Sequence, residues 1–249
     1  MLIPDTLTIA AVVLGFVLGG AVKGALGLGM PVVVLALLAP LIGLKSAIAV
    51  MIVPSIASNI WQALAGPSLG ALIRRLWPFL GGAQIGIWIG VGVLAGAQTD
   101  TLEVLLGTLL AAYSAFALLT PQLPPPGRRE VWMSPLAGGA GGVLFGMTGI
   151  FIVPGILYLQ TLGLGRDRFV QALGITFLTI STGLALAMGS HDLISPDLAL
   201  LSAGAVVPAF VGLWLGQRLR HRISEDLFRR VFFIALLVVG IVMIARAAG

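Results

Sequence analysis

Residues 20–31 read GAVKGALGLGMP, and residues 142–154 read GVLFGMTGIFIVP. In the first stretch Gly20, Gly24 and Gly27 lead to Pro31. In the second, Gly142, Gly146 and Gly149 lead to Pro154, with one residue inserted before the proline. Glycine frees φ and proline removes an N–H, so each stretch is a place where a helix breaks. Both stretches lie in apolar surroundings. Broken backbone at membrane depth is tolerated only where it is buried in protein or lines a wet cavity. A helix break at matching places in two halves of a chain points to a transporter's binding site.

The membrane setting follows from composition. The 249 residues are 59% hydrophobic and 9% charged, against roughly 25% charged in a soluble domain. Each crossing needs roughly 20 apolar residues. The chain offers apolar segments near 6–24, 29–43, 46–65, 76–97, 101–120, 133–149, 150–163, 169–189, 197–217 and 226–247. The reading is an all-α polytopic protein in the lipid bilayer. Segments 30–43 and 150–163 are too short to cross comfortably, and both follow a glycine stretch. They are expected to be half-helices or re-entrant pieces whose starts face the ligand. No Lys or Arg precedes the first apolar run, so it reads as a retained span and not as a cleaved signal peptide.

The connector 121–131, PQLPPPGRREV, divides the chain into halves 1–120 and 132–249, with five apolar segments in each. The net charge of +5 is a topology signal and not a nucleic-acid footprint. Arg74, Arg75, Arg128, Arg129 and the basic residues of 218–230 lie in alternate connections. The intervening connections 98–103 and 190–197 carry Asp100, Glu103, Asp192 and Asp197 without Lys or Arg. Arginine-rich loops belong in the cytoplasm. This places both termini outside and the central linker inside, so the halves have opposite orientation and form an inverted repeat. Lys45 and Arg246 fall on the less favoured side.

The repeat extends into the third segment of each half. Ser55, Ser58, Asn59 and Gln62 fall at i, i+3, i+4 and i+7, on one helix face. Thr176, Thr179 and Gly183 share that spacing, with Thr182 beside them and Gln171 earlier. Pro54 interrupts the first stripe and frees a carbonyl that a neighbour or ligand must satisfy. Amides and hydroxyls on these stripes can donate to an anion. They can equally bond between helices, at about 0.6 kcal/mol each.

Lys23 is the one basic residue deep in an apolar stretch. Its ammonium costs about 3 kcal/mol there unless paired or solvated. A bound anion would satisfy it; snorkelling to the interface is the alternative. Its repeat counterpart is Phe145. Free N–H groups at a half-helix start carry roughly half a positive charge and suit an oxyanion. The glycine pairs 15/19, 20/24, 86/90, 92/96, 138/142 and 212/216 also fit helix packing through small residues.

Several chemistries lack their residues. Cysteine is absent, Asp and Glu occur only in loops or at the very start of a span, as Glu103 does, and His191 and His221 lie in charged loops. There is no HExxH, Walker-type or nucleophile-elbow motif. No catalytic residue, metal site or cofactor is therefore assigned, and the chain is not read as an enzyme. Trp61, Trp77, Trp88, Trp132 and Trp214 suit interfacial anchoring.

The KGALGLGMP stretch, its echo FGMTGIFIVPG, the GL-x-x-A entry at 43–47 and the two-half layout resemble the TauE/SafE (sulfite exporter, TSUP) family. Ile150, Phe151, Ile152 and Val153 stand where that family has a richer glycine run. The resemblance implies transport of sulfite, sulfoacetate or related organosulfur anions across the bacterial inner membrane. The expected partner is a small anionic substrate, moved by alternating access with or without protons. An anion channel and a non-transporting membrane scaffold are the competing readings, and a homodimer is one option for assembly. The expected substrate contacts are Lys23, Gly24, Gly27, Gly29, Asn59, Gln62, Gly146, Thr148, Gly149, Gln171, Thr179 and Thr182.

Overall fold

A computed structural model describes residues 6–97, 99–119, 124–219 and 225–248. Gln98, His221, residues 121–123 of the central linker and residues 220–224 of the basic run lie outside the described residues. So do the side chains of Asp100, Glu103 and Arg246. The described chain is helical: α1 Thr6–Leu26, α2 Met30–Ile42, α3 Leu44–Leu64, α4 Leu69–Gly96, α5 Thr99–Leu119 and α6 Glu130–Thr148. After a π-helical turn at Ile152–Ile156 come α7 Leu157–Thr161, α8 Arg166–Ser190, α9 Pro196–Gly204, α10 Val206–Leu219 and α11 Glu225–Ala248. No strand occurs among the described residues.

Among the described residues, five helices are long and apolar enough to cross a membrane: α1, α3, α4, α8 and the continuous run Pro196–Leu219 formed by α9 and α10. Local sequence sets their ends. At α9 the Ser195 hydroxyl accepts a hydrogen bond from the Leu198 N–H, followed by Pro196 and Asp197 in the first turn. That combination favours a helix start.

The chain forms two compact units. The first comprises Met1–Pro54, Ala97–Pro121 and Leu193–Gly249; the second comprises Ser55–Gly96 and Gln122–Asp192. Each unit draws elements from both sequence halves, and the boundary in α3 falls directly after Pro54.

In the first unit α2 folds back along α1. A methyl group added at Gly19 would stand 3.0 Å from the Met30 carbonyl oxygen and 3.0 Å from the Val34 side chain, while Gly15 lies opposite Leu38. The other side of α1 packs on α10. Gly20 and Gly24 meet the Ala209 and Leu213 backbone, and Gly212 and Gly216 meet Val17 and Ala21 in return. Lipid tails are as apolar as leucine, so such helices associate through close backbone approach more than through hydrophobic expulsion. Helices α5 and α11 meet at Gly107 and Gly240, beside an edge-on Tyr113–Phe233 pair at 5.3 Å.

Pro54 breaks the hydrogen-bond ladder of α3, and Ser202 of α9 repairs it. The Ser202 hydroxyl donates to the Val50 carbonyl at 2.8 Å and accepts from the Val53 N–H at 3.1 Å. The carbonyl freed by the proline thus finds a neighbour and not a ligand. Ser202→Ala should cost about 1–3 kcal/mol, because it leaves a buried carbonyl unsatisfied. Thermal unfolding of the detergent-solubilised protein measures this. The cost should shrink in a Pro54→Ala background, where residue 54 regains its own N–H.

The second unit repeats the glycine pattern with other elements. Helix α4 packs on α6: Gly82, Gly86 and Gly90 meet Pro135, Gly139 and Val143, while Gly138, Gly142 and Gly146 meet Phe79, Ala83 and Ile87. Gly92 and Gly96 were expected among the packing glycines. They have nothing within 4 Å of an added methyl, so the spacing alone did not identify a contact there.

Candidate functional site

Both glycine stretches end a helix in the same way. At Gly27 (φ 81°) the N–H bonds the Lys23 carbonyl at 2.7 Å; at Gly149 (φ 74°) it bonds the Phe145 carbonyl at 2.7 Å. A positive φ closes the helix end with little penalty only in glycine. Residues 24 and 146, one turn earlier, press against the backbone of α10 and of α4 respectively. The helix contact alone accounts for glycine at both positions.

The continuations differ. In the first unit Gly29 (φ 102°) precedes α2, which has no side-chain cap and carries Pro31 in its first turn. Thirteen residues extend about 20 Å, short of the roughly 30 Å hydrocarbon core. Segment 30–43 is thus a half-helix turned back on α1. Lys23 lies in the last turn of α1, only 6% exposed. Lys23, Gly24, Gly27 and Gly29 therefore share one short region, where a helix end, a break and a helix start meet.

Segment 150–163 does not form the expected half-helix. Val153 is extended within the π-helical turn, and only the five residues Leu157–Thr161 are α-helical. The segment still folds back, since a methyl at Gly141 would stand 2.9 Å from the Phe151 ring. The cause is aromatic packing. Phe151 meets Phe79, Phe145 and Phe177 edge-on at 5.7, 6.0 and 6.3 Å, and Phe79 stacks on Tyr158 at 5.4 Å. Such pairs add about 0.5–1.5 kcal/mol each beyond burial. Phe145, which the sequence pattern sets against Lys23, belongs to this buried cluster. Thr148 is buried and closes α6, donating to the Leu144 carbonyl at 2.7 Å and accepting from the Ile150 N–H at 3.3 Å.

The polar stripes occupy the packing around α8 in the second unit. The Gln62 amide donates to the Val170 carbonyl at 3.0 Å. The Gln171 amide donates to the Ala63 carbonyl at 2.9 Å and the Gly66 carbonyl at 2.6 Å, while its oxygen accepts from the Ser68 N–H at 3.0 Å. Both amide protons of Gln171 are thereby engaged, and the residue clamps the α3–α4 turn onto α8. Thr179 and Thr182 donate to carbonyls one turn back, of Ile175 and Leu178. Asn59 is buried in α3. Gln84 of α4 donates to the Thr179 carbonyl at 2.6 Å and occupies the space above Gly183. Two stripe hydroxyls differ from the rest: those of Ser55 and Thr176 are buried without a hydrogen-bond partner among the described residues.

Arg75 makes a bidentate pair with Glu130 at 2.7 and 2.9 Å and donates to the Leu162 carbonyl at 3.3 Å. The Arg75 connection and the central linker, both expected on one side of the membrane, thus meet. In the same unit a cleft of about 440 Å³ is lined by Pro67, Ser68, Arg166, Asp167, Arg168 and Gln171. Glu130 precedes the apolar run of α6, and the Arg75 hydrogen bond holds its carboxyl below the usual glutamate value. Its stabilisation should be present above the unfolded pKa and lost as pH falls through the folded one. The stability gap between wild type and Glu130→Gln should therefore narrow on acidification, read as melting temperature against pH.

No group of three or more His, Cys, Asp or Glu able to hold a metal ion occurs among the described residues. Comparison with known proteins found one family model, described as sulfite exporter TauE/SafE, matching residues 11–243. No curated protein and no solved structure matches the chain.

Proposed function

We propose a secondary carrier of small sulfur oxyanions, because the chain belongs to the sulfite exporter TauE/SafE family. Membership makes this a multi-pass membrane protein that transports sulfur anions. The finer reading is that it binds sulfite, sulfoacetate or a related sulfonate and moves it by alternating access through the bacterial inner membrane. The observation that carries this is the family match across nearly the whole chain.

Two inverted repeats, 1–120 and 132–249, joined by the linker 121–131, complete the reading. The glycine contacts support it. The first helix of one half, α1, packs on α10; the first helix of the other, α6, packs on α4. Helices α4 and α10 hold the same place in their respective halves, so the exchange is reciprocal. The meeting of Arg75, Glu130 and Leu162 supports a shared cytoplasmic face for the arginine loops, with both termini external. Lys23 is the main anion contact, and the first glycine break shapes the backbone beside it.

Charge movement by purified protein in proteoliposomes tests the function. The panel is sulfite, sulfate, sulfoacetate, taurine and an aromatic sulfonate, with and without a pH gradient, alongside a tracer control for electroneutral flux. Saturable flux of at least one sulfur anion is expected, and dependence on the pH gradient would identify proton coupling. Silence across the panel in both assays would overturn the substrate assignment. Linear, unsaturable current would replace the carrier with a channel.

A further inference from the structure

We infer that Ser55 and Thr176 are a matched pair of substrate-binding hydroxyls, one from each polar stripe. This inference rests on the sulfur-anion reading above. Ser55 lies directly after the proline break of α3 and is 1% exposed; Thr176 lies in α8 and is 0% exposed. Neither hydroxyl oxygen has a hydrogen-bond partner among the described residues. Burying a hydroxyl unpaired is unfavourable, and such groups are few in folded proteins.

Their neighbours on the stripes all have partners. Ser58 donates to the Ser55 carbonyl at 3.2 Å, and Thr179 and Thr182 donate one turn back along α8. A helical Ser or Thr normally relieves its hydroxyl through that same local bond. Ser55 and Thr176 do not. They also head their stripes at one register: the offset from Ser55 to Thr176 equals that from Ser58 to Thr179.

A hydroxyl donates one proton, which suits an acceptor-rich oxyanion. Sulfite and the sulfonate group offer only acceptor oxygens at neutral pH, and hydrogen bonds to charged groups are the stronger kind. The pair supplies neutral donors, so it recognises oxygen acceptors without adding charge. Each hydroxyl removed should weaken binding about tenfold.

The test uses Ser55→Ala and Thr176→Val in the full-length protein, with sulfite, sulfate and sulfoacetate as probes. Melting temperature without anion and anion affinity by titration are both measured. Removing an unsatisfied buried hydroxyl leaves no new orphan, so each variant should melt at or above the wild-type temperature. Affinity for the anion that the wild type binds should fall about tenfold in each variant, and further in the double variant. A lower melting temperature with unchanged affinity would make the hydroxyls structural and overturn the pair. Unchanged affinity at unchanged stability would overturn it equally. If the wild type binds none of the anions, the function and this pair fall together; if it binds and both variants match it, the pair alone falls.

Discussion

Replacing Gly142 with alanine should destabilise the protein by about 2 kcal/mol or more, although alanine is the better helix former by about 1 kcal/mol. The added methyl would run into the Ala83 backbone of α4, with the Ala83 Cα at 2.9 Å. A backbone carbonyl and Cα cannot rotate aside as a side-chain end can, so the two helix axes must separate. Gly86, Gly90, Gly138 and Gly146 line the same contact, and separation at one point loosens all of them. Overpacking in a close-fitted interior costs about 1–3 kcal/mol and more where the backbone must move. Gly92→Ala is the control. It lies on the same α4, is exposed, and has nothing within 4 Å, so it should be neutral or gain about 0.5–1 kcal/mol. Thermal unfolding of both variants in one detergent makes the comparison. Equal loss at 92 and 142 would show that glycine serves helix flexibility in this chain and not contact.

That contrast shows what could be read from sequence. Residues 86/90 and 92/96 look alike as small-residue pairs, and only the partner helix distinguishes them. The helices themselves were legible, because each apolar segment is long relative to its breakers and Gly27, Gly29, Gly43, Gly149 and Gly163 all adopt positive φ at element ends. The pairing of α1 with α10 and of α6 with α4 was not. It joins residues far apart in the chain, and nothing local in Gly20 or Gly142 names a partner.

The candidate site divides in the same way. Pro54 announced an orphan carbonyl, but Ser202 is one serine in an apolar run and carries no signal that it fills the gap. Segment 150–163 was expected to mirror 30–43, since both follow a glycine break. Phe151 in place of a small residue instead draws the chain into an aromatic cluster, and the half-helix is lost. Gln62 and Gln171 were chosen as amide donors in an apolar setting. A buried amide needs partners whether or not a substrate exists, and backbone carbonyls from 63, 66 and 170 supply them. Residue type and helical face therefore found the polar positions. They could not tell which donors were already engaged.

Lys23 is where the two halves depart most from one another, and its substitution should have the largest effect on transport. An ammonium at this depth costs about 3 kcal/mol or more, yet the equivalent place in the other half holds Phe145 inside a ring cluster. The second glycine stretch thus closes its helix with an apolar residue at the matching place in the sequence, and a buried lysine needs a reason beyond helix ending. Lys23→Met keeps most of the length and apolar stem and removes the charge. Saturable sulfur-anion flux should fall by at least about tenfold, as expected for loss of a charge-assisted hydrogen bond. The melting temperature should hold within a few degrees, because relief of the buried charge offsets the contacts that its ammonium loses. Lys23→Arg retains the charge on a wider, flat head and should recover part of the binding while altering preference among the anions. Flux and melting temperature measured together separate the roles. Wild-type flux in a folded Lys23→Met protein would move the anion contact elsewhere. A large fall in melting temperature, with normal flux in the surviving fraction, would make the lysine a structural tie at the end of α1.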